Sequence, residues 1–198
     1  MTGSNGGGWK SLAKRINFRS SATTVGRYLD NLLKHKILVA NMRIEFINPF
    51  ITGLVTTFNT MLGCELRRGE ISLKTSHKPA YAISGIIGLS GRAIGTAIIS
   101  FSEPVALKAA SVLLMVPCDE VDDDVTDAIG EIANIVVGSA KSKLEPYQMS
   151  ISLPNVMLGQ HAILKFPSSV QPITVPFSCA WGHLSLEVGL EVVQPLEV

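Results

Sequence analysis

Residues 124–144 read DVTDAIGEIANIVVGSAKSKL, and their spacing predicts the helix around which the fold is organised. When each residue is turned 100° from the last, starting at Glu131, apolar side chains gather between about 100° and 180°. We expect this side of the helix to face a core. Its members are Val125, Ile129, Ile132, Val136 and Ala140.

The opposite side of this helix carries a polar ridge. The ridge is formed by Asp127, Glu131, Asn134, Gly138 and Lys141. Because Glu131 and Asn134 are three residues apart, their side chains project together. Gly138 costs a helix interior about 1 kcal/mol relative to Ala, and on an exposed ridge it would let another protein's backbone come close. From spacing alone, the simpler interpretation is that Glu131 and Asn134 are ordinary polar surface residues.

The elements on either side of this helix alternate between helical and strand patterns. Asn48 before Pro49 predicts the cap of a first helix that ends at Gly63. A second helix is predicted over 105–115, followed by an acidic link over 119–124. The sequence therefore predicts an α+β domain, with a largely antiparallel sheet and three helices covering one face. Its strands are predicted over 71–75, 80–88, 93–101, 148–153, 161–166, 173–179 and 183–190.

Composition excludes several classes of protein. Hydrophobic residues make up 46% of the 198 residues and charged residues 17%, which is typical of a folded core and not of a disordered chain. Every apolar stretch is interrupted before the roughly 18 residues that a membrane-spanning helix needs, so we expect no membrane span. Cys64, Cys118 and Cys179 are far apart in sequence, which argues against a disulfide framework and favours the cytoplasm.

The first 43 residues differ in charge from the rest of the chain. They hold eight Lys and Arg and one acid, whereas residues 44–198 hold nine basic and fifteen acidic residues. We interpret 1–43 as a basic, flexible extension with one possible short helix near Val25 to Leu33, and 44–198 as the folded domain. A nucleic-acid or membrane-surface arm, or a translation start at Met42, are alternatives; we expect no nucleic-acid partner.

The usual catalytic and metal-binding motifs are missing from the sequence. The four histidines are scattered without a Cys or carboxylate at metal-ligand spacing, so we expect no metal site. The glycines between Gly85 and Gly95 lie in two predicted strands and their turn, and they favour close strand packing over a phosphate loop. The acidic residues 119–127 lack the spacing of a calcium loop.

The polar ridge resembles a segment of one known family. Residues 127–138, DAIGEIANIVVG, resemble the D-x-x-x-E-x-x-N segment with a trailing glycine in the CheC, CheX and FliY chemotaxis phosphatases. Residues 47–50, INPF, resemble the opening of CheX-type domains, and the strand ending at Phe101 with the helix that follows occupies the corresponding place. The resemblance covers about residues 42 to 192 and excludes the basic extension.

The number of active helices distinguishes the members of this family, because CheC-type proteins carry two. Aligning Asn48 with Asp127 places Thr52 and Val55 at the positions of Glu131 and Asn134, and aligning the helix caps offers Val55 and Phe58. Neither alignment supplies an acid and an amide. The single ridge therefore favours a CheX-like member.

The resemblance implies a cytoplasmic phosphatase that hydrolyses the aspartyl phosphate of a CheY-like response regulator. In that case Glu131 and Asn134 are the catalytic residues, and Asp127, Gly138 and Lys141 contact the partner. The resemblance implies no cofactor in this chain, since the regulator holds the Mg²⁺, and it suggests a homodimer joined through sheet edges. The alternative is a non-catalytic module that binds regulators or belongs to the flagellar switch.

Overall fold

A computed structural model describes residues 46–161, 163–164, 166–167 and 170–193. The predicted extension over 1–43, with its short helix, lies outside these residues. Helix α1 covers residues 46–60 of the described part, and a short 3-10 helix covers Glu145–Tyr147. The other elements, in chain order, are β1 Arg67–Arg68, β2 Ser72–Leu73, β3 Ile83–Ser90, β4 Ala93–Phe101, α2 Glu103–Leu114, α3 Asp123–Lys143, β5 Ser150–Ile151, β6 Asn155–Leu158, β7 Ile173–Cys179 and β8 Gly182–Val192.

The strands of the described residues form one antiparallel sheet. Its order is β1-β7-β8-β4-β3-β5, with β2 also pairing with β7 and β6 also pairing with β3. The long strands β3, β4, β7 and β8 make up its centre, and the short ones lie at its two edges. The predicted α+β class is confirmed, with α1, α2 and α3 as the helices of the described chain.

The face of the sheet that meets the helices is set by the alternation of side chains along each strand. Phe101 on β4 stacks on Phe58 of α1 with ring centroids 6.4 Å apart. Gly85 on β3 lies under α3, where an added Cβ would come within 2.7 Å of the Ala133 methyl group. Glycine therefore lets this helix approach the sheet more closely than any other residue would.

The prediction that Asn48 caps helix α1 is wrong. Residues 46–48 are already helical, so Asn48 lies inside the helix and does not cap it. Pro49 is compatible with this position because the N–H groups of a helix's first turn have no partner within the helix. After the helix, Gly63 takes a φ of 63°, and the Cys64 N–H then donates to the Phe58 carbonyl at 2.9 Å.

The edge next to β3 departs most from the prediction. The predicted strand over 148–153 is reduced to Ser150–Ile151, and Asn155–Leu158 forms a strand that the sequence did not predict. The strand predicted over 161–166 is wrong, since the described residues of that segment are not in a strand. Edge strands pair on one side only, so their sequences carry a weaker pattern than those of central strands.

The opposite edge is also interrupted. The strand predicted over 71–75 is reduced to β2, and β1 pairs separately with β7. Gly69, between them, donates its N–H to the Pro176 carbonyl at 2.8 Å, and an added Cβ there would lie 2.9 Å from the Pro176 ring. Proline is compatible with the β7 ladder at this edge position because no N–H is required of it.

Candidate functional site

The acidic link before helix α3 supplies the cap and the negative charges at its N-terminus. The Asp122 carboxylate caps the helix by accepting a hydrogen bond from the Val125 N–H at 2.9 Å. Asp123 and Asp124 occupy the first turn, and Lys141 and Lys143 occupy the last. This arrangement of charges complements the helix dipole at both ends.

Helix α3 packs against α1, α2 and the sheet, and one side of it stays free of these elements. An added Cβ at Gly53 of α1 would lie 2.7 Å from the Val136 carbonyl oxygen, so the two helices are in backbone contact there. An added Cβ at Gly130 would lie 3.5 Å from Pro154 at the sheet edge, and β3 lies beneath the helix. The predicted core-facing side is confirmed, because Val125, Ile129, Ile132, Val136 and Ala140 are all 0% exposed.

The remaining side of α3 holds the predicted site residues. Asp127 and Glu131 are exposed, and Asn134, Gly138 and Lys141 are half-buried. Within the described ranges, neither the Glu131 carboxylate nor the Asn134 amide makes a hydrogen bond or ion pair. Both polar groups are therefore available to a ligand or a partner protein.

Gly138 borders a groove at the C-terminal end of this ridge. Among the described residues, no atom apart from the helix's own neighbouring backbone lies within 4 Å of the place that a Cβ on Gly138 would take. The groove has a volume of about 430 Å³. It is lined by Gly138, Lys141, Ser142, Glu145, Gln148, Met149 and Ile151. This open space leaves room beside Gly138, and its use by a partner stays a prediction.

A β-bulge places a further residue near the ridge that sequence reasoning missed. Ile151 pairs with Leu89, and Asn155 pairs with Ile86. The edge strand therefore advances four residues where β3 advances three, so it contains one extra residue. The Gly88 N–H donates to the Ser152 Oγ at 2.9 Å, which fixes the bulge. Leu153 is 88% exposed as a result, next to the Pro154 that contacts α3. No sequence signal marks Leu153, since the bulge depends on pairing with a distant strand.

Helix α1 does not repeat the site of α3. Its exposed Thr52 uses its hydroxyl to donate to the Asn48 carbonyl at 2.9 Å, and Val55 is half-buried. Residues 46–60 include no acidic residue. A second pair of acid and amide is therefore absent from the described residues of this helix, 46–60.

The most perturbed carboxyl group lies away from the ridge, on the sheet face opposite the helices. Glu187 of β8 is 0% exposed, and its Oε1 pairs with the Lys74 Nζ at 2.8 Å, while its Oε2 has no partner among the described residues. Burial raises the pKa of Glu187, and the hydrogen bond and charge of Lys74 offset part of that rise. We assign this pair a structural role.

The open ridge of α3 is suited to a reaction in which a partner protein supplies the rest of the active site. Within the part of the chain that the structure describes, no group of three or more His, Cys, Asp or Glu side chains could hold a metal ion, and no helix is long and apolar enough to cross a membrane. A carboxylate and an amide on one open ridge can pair with a cation and orient a water. They cannot by themselves enclose a small substrate.

Comparisons with known proteins agree with this arrangement. Residues 83–178 match the family described as chemotaxis phosphatase CheX. The CheY-P phosphatase CheX of Thermotoga maritima is 30% identical over 139 residues, which are 65% of this chain and 90% of the relative.

Two solved structures extend the comparison to the fold. A CheC-like superfamily protein from Shewanella sp. PV-4 has 33% identity and a TM-score of 0.68, over 75% of this chain and 98% of its own. The chemotaxis protein CheX from Vibrio vulnificus has 30% identity and a TM-score of 0.68, over 74% and 99% of the two chains. The chain belongs to the CheX family of chemotaxis phosphatases.

Proposed function

We propose that this chain stimulates hydrolysis of the aspartyl phosphate of a CheY-like response regulator. The observation that carries the proposal is that Glu131 and Asn134 lie together on the open ridge of α3 and make no hydrogen bond or ion pair with any other described residue. The Thermotoga maritima relative, a CheY-P phosphatase, supports the same reaction here. The ridge enters the phosphoryl pocket of the regulator, and the chemistry is completed between the two proteins.

Asn134 orients the attacking water. Its amide oxygen accepts a hydrogen bond from the water, which is then held in line with the phosphorus. Because the amide is uncharged, it adds no repulsion near the phosphoryl oxygens, whereas a carboxylate would. Positioning is most of what phosphoryl transfer requires of a protein, so one well-placed amide has a large effect on the rate.

Glu131 anchors the ridge. Its exposed carboxylate pairs with the active-site lysine of the regulator and so fixes Asn134 relative to the phosphorus. It does not act as a general base. The Mg²⁺ that neutralises the phosphoryl group belongs to the regulator, and this chain supplies no cofactor.

The docking surface continues along the ridge from Asp127 past Asn134 to Gly138 and Lys141. The groove beside Gly138 admits a segment of the regulator because no side chain fills it. Lys141 supplies a cation at its far end, and Leu153 supplies an exposed apolar contact at the sheet edge. Since the substrate is an intracellular signalling protein, we place this chain in the cytoplasm.

We also propose that two copies associate through a sheet edge. Strands β1 and β2 at one edge and β5 and β6 at the other each pair on a single side within the described chain. Open backbone groups of this kind are available for pairing with another strand. Sedimentation velocity is expected to give a dimer, and a monomer at all concentrations would contradict this.

Release of inorganic phosphate tests the catalytic role. The full chain, added in amounts well below the regulator, is expected to shorten the lifetime of the phosphorylated regulator with repeated turnover. A non-catalytic module would bind the regulator in the same titration without changing phosphate release. That outcome would refute the phosphatase and leave regulator binding in its place.

A further inference from the structure

Cys64 and Cys179 come together although they are far apart in sequence. Arg67 pairs with Ser178, so the segment that leads from Cys64 into β1 runs beside the end of β7 at Cys179. Cys64 follows α1, and Cys179 is the last residue of β7. The two thiols therefore belong to parts of the fold that are distant along the chain. Both side chains line the same hollow beside Trp181.

The pair can be reached from solvent. Both thiols are free, and together with Glu65, Arg67 and Trp181 they line an open hollow of about 400 Å³. Cys64 is 4% exposed, whereas Cys179 is half-buried. A small oxidant that enters the hollow therefore meets the Cys179 sulfur more readily than that of Cys64.

We propose that Cys64 and Cys179 form an oxidant-sensitive dithiol that hydroperoxides convert to an intramolecular disulfide. The Cys179 thiolate attacks one peroxide oxygen, so that an S–O bond forms, the O–O bond breaks and the leaving hydroxide takes up a proton as water. Cys64 then attacks the resulting sulfenic acid, so that the S–S bond forms and a second water leaves. One hydrogen peroxide is reduced to two waters, and the two thiols lose two hydrogens.

The environment of Cys64 sets the order of these steps. Burial, and then the neighbouring Cys179, raise the pKa of the Cys64 thiol to about 11. Since the thiolate is the nucleophile, Cys64 reacts slowly with peroxide itself.

Thiol counting and peptide mapping test the proposal. The reduced full chain is freed of reductant, titrated with hydrogen peroxide at neutral pH and examined by intact mass and by mass spectrometry of its peptides. We expect two of the three thiols to be lost, a product lighter by two hydrogens, and a peptide in which Cys64 is linked to Cys179. Dithiothreitol is expected to restore all three thiols.

The third cysteine supplies the matched control. Cys118→Ser is expected to form the same disulfide at the wild-type rate. Cys64→Ala is expected to stop at a sulfenic acid on Cys179 that dimedone traps, and Cys179→Ala is expected to slow oxidation of Cys64 at least about tenfold. A linkage through Cys118, or equal overoxidation of all three thiols without a link, would overturn the proposal.

Discussion

Replacement of Gly138 by leucine is expected to affect the stability of the chain and its docking to the regulator in different ways. In the part of the chain that the structure describes, no atom apart from the helix's own neighbouring backbone lies within 4 Å of a Cβ added at Gly138, so there is room for a new side chain. The leucine would extend into the groove beside α3, which has a volume of about 430 Å³. We therefore expect the folded chain to accept the substitution and its partner to be obstructed.

The Gly138→Leu substitution is expected to raise stability slightly and to lower activity strongly. Leucine is a better helix former than glycine by about 0.5 to 1 kcal/mol, which in a chain of this size corresponds to a rise in Tm of about 1 to 4 °C. Stimulated dephosphorylation is expected to fall about a hundredfold, since an offset near 1 Å between Asn134 and the phosphorus is sufficient for such a loss.

Gly53 supplies a matched control for the stability measurement. An alanine methyl group at Gly53 would lie 2.7 Å from the Val136 carbonyl oxygen, so α1 and α3 would have to move apart. Gly53→Ala is expected to lower the free energy of unfolding by about 1 to 3 kcal/mol, whereas Gly138→Ala is expected to raise it.

Urea unfolding and phosphate release, measured on the same preparations, check both effects. Gly138→Ala is expected to fall between wild type and Gly138→Leu in activity. If Gly138→Leu unfolds the chain, the glycine faces the interior and the helix is oriented differently. If it is stable and fully active, the regulator does not approach this part of the ridge.

Three further predictions concern the extension, the sheet edge and the buried carboxyl group. Removal of residues 1–41 is expected to leave a folded, active phosphatase. Loss of the folded-state circular dichroism together with loss of phosphate release would show that the extension packs on the domain. Leu153→Asp is expected to weaken regulator binding about tenfold in a titration without changing Tm, because Leu153 is 88% exposed; unchanged binding would exclude it from the interface. Burial raises the folded-state pKa of Glu187 above the ordinary 4.5, so the folded chain holds this proton more tightly than the unfolded chain. The free energy of unfolding of wild type is therefore expected to fall relative to that of Glu187→Gln as pH rises from about 4.5 through the folded-state pKa; parallel urea curves would contradict this.

The parts of the fold that the sequence predicted are those with a long, regular pattern. Helix α3 repeats its apolar spacing over 21 residues, and Ile173–Cys179 was predicted to the residue. Such elements bury one face continuously, so local sequence and tertiary packing agree. The position of Glu131 and Asn134 on the ridge follows from this same periodicity.

The parts that could not be predicted depend on pairing between distant segments. The bulge at Ser152 and Leu153 exists because β3 pairs with two short strands in registers that differ by one residue. The placement of Cys64 and Cys179 around one hollow likewise depends on the pairing of β1 with β7. Neither segment carries a local pattern that indicates its partner.

The Asn134→Ala variant, compared with Asn59→Ala, gives the most direct test of the proposed chemistry. Both substitutions remove an asparagine amide from a helix, but Asn59 is on α1, where residues 46–60 have no acid. Phosphate release from a phosphorylated CheY-like regulator is expected to fall about a hundredfold or more for Asn134→Ala and to stay at the wild-type rate for Asn59→Ala, with Tm unchanged in both. Wild-type phosphate release by a folded Asn134→Ala variant would contradict the assignment of the catalytic amide.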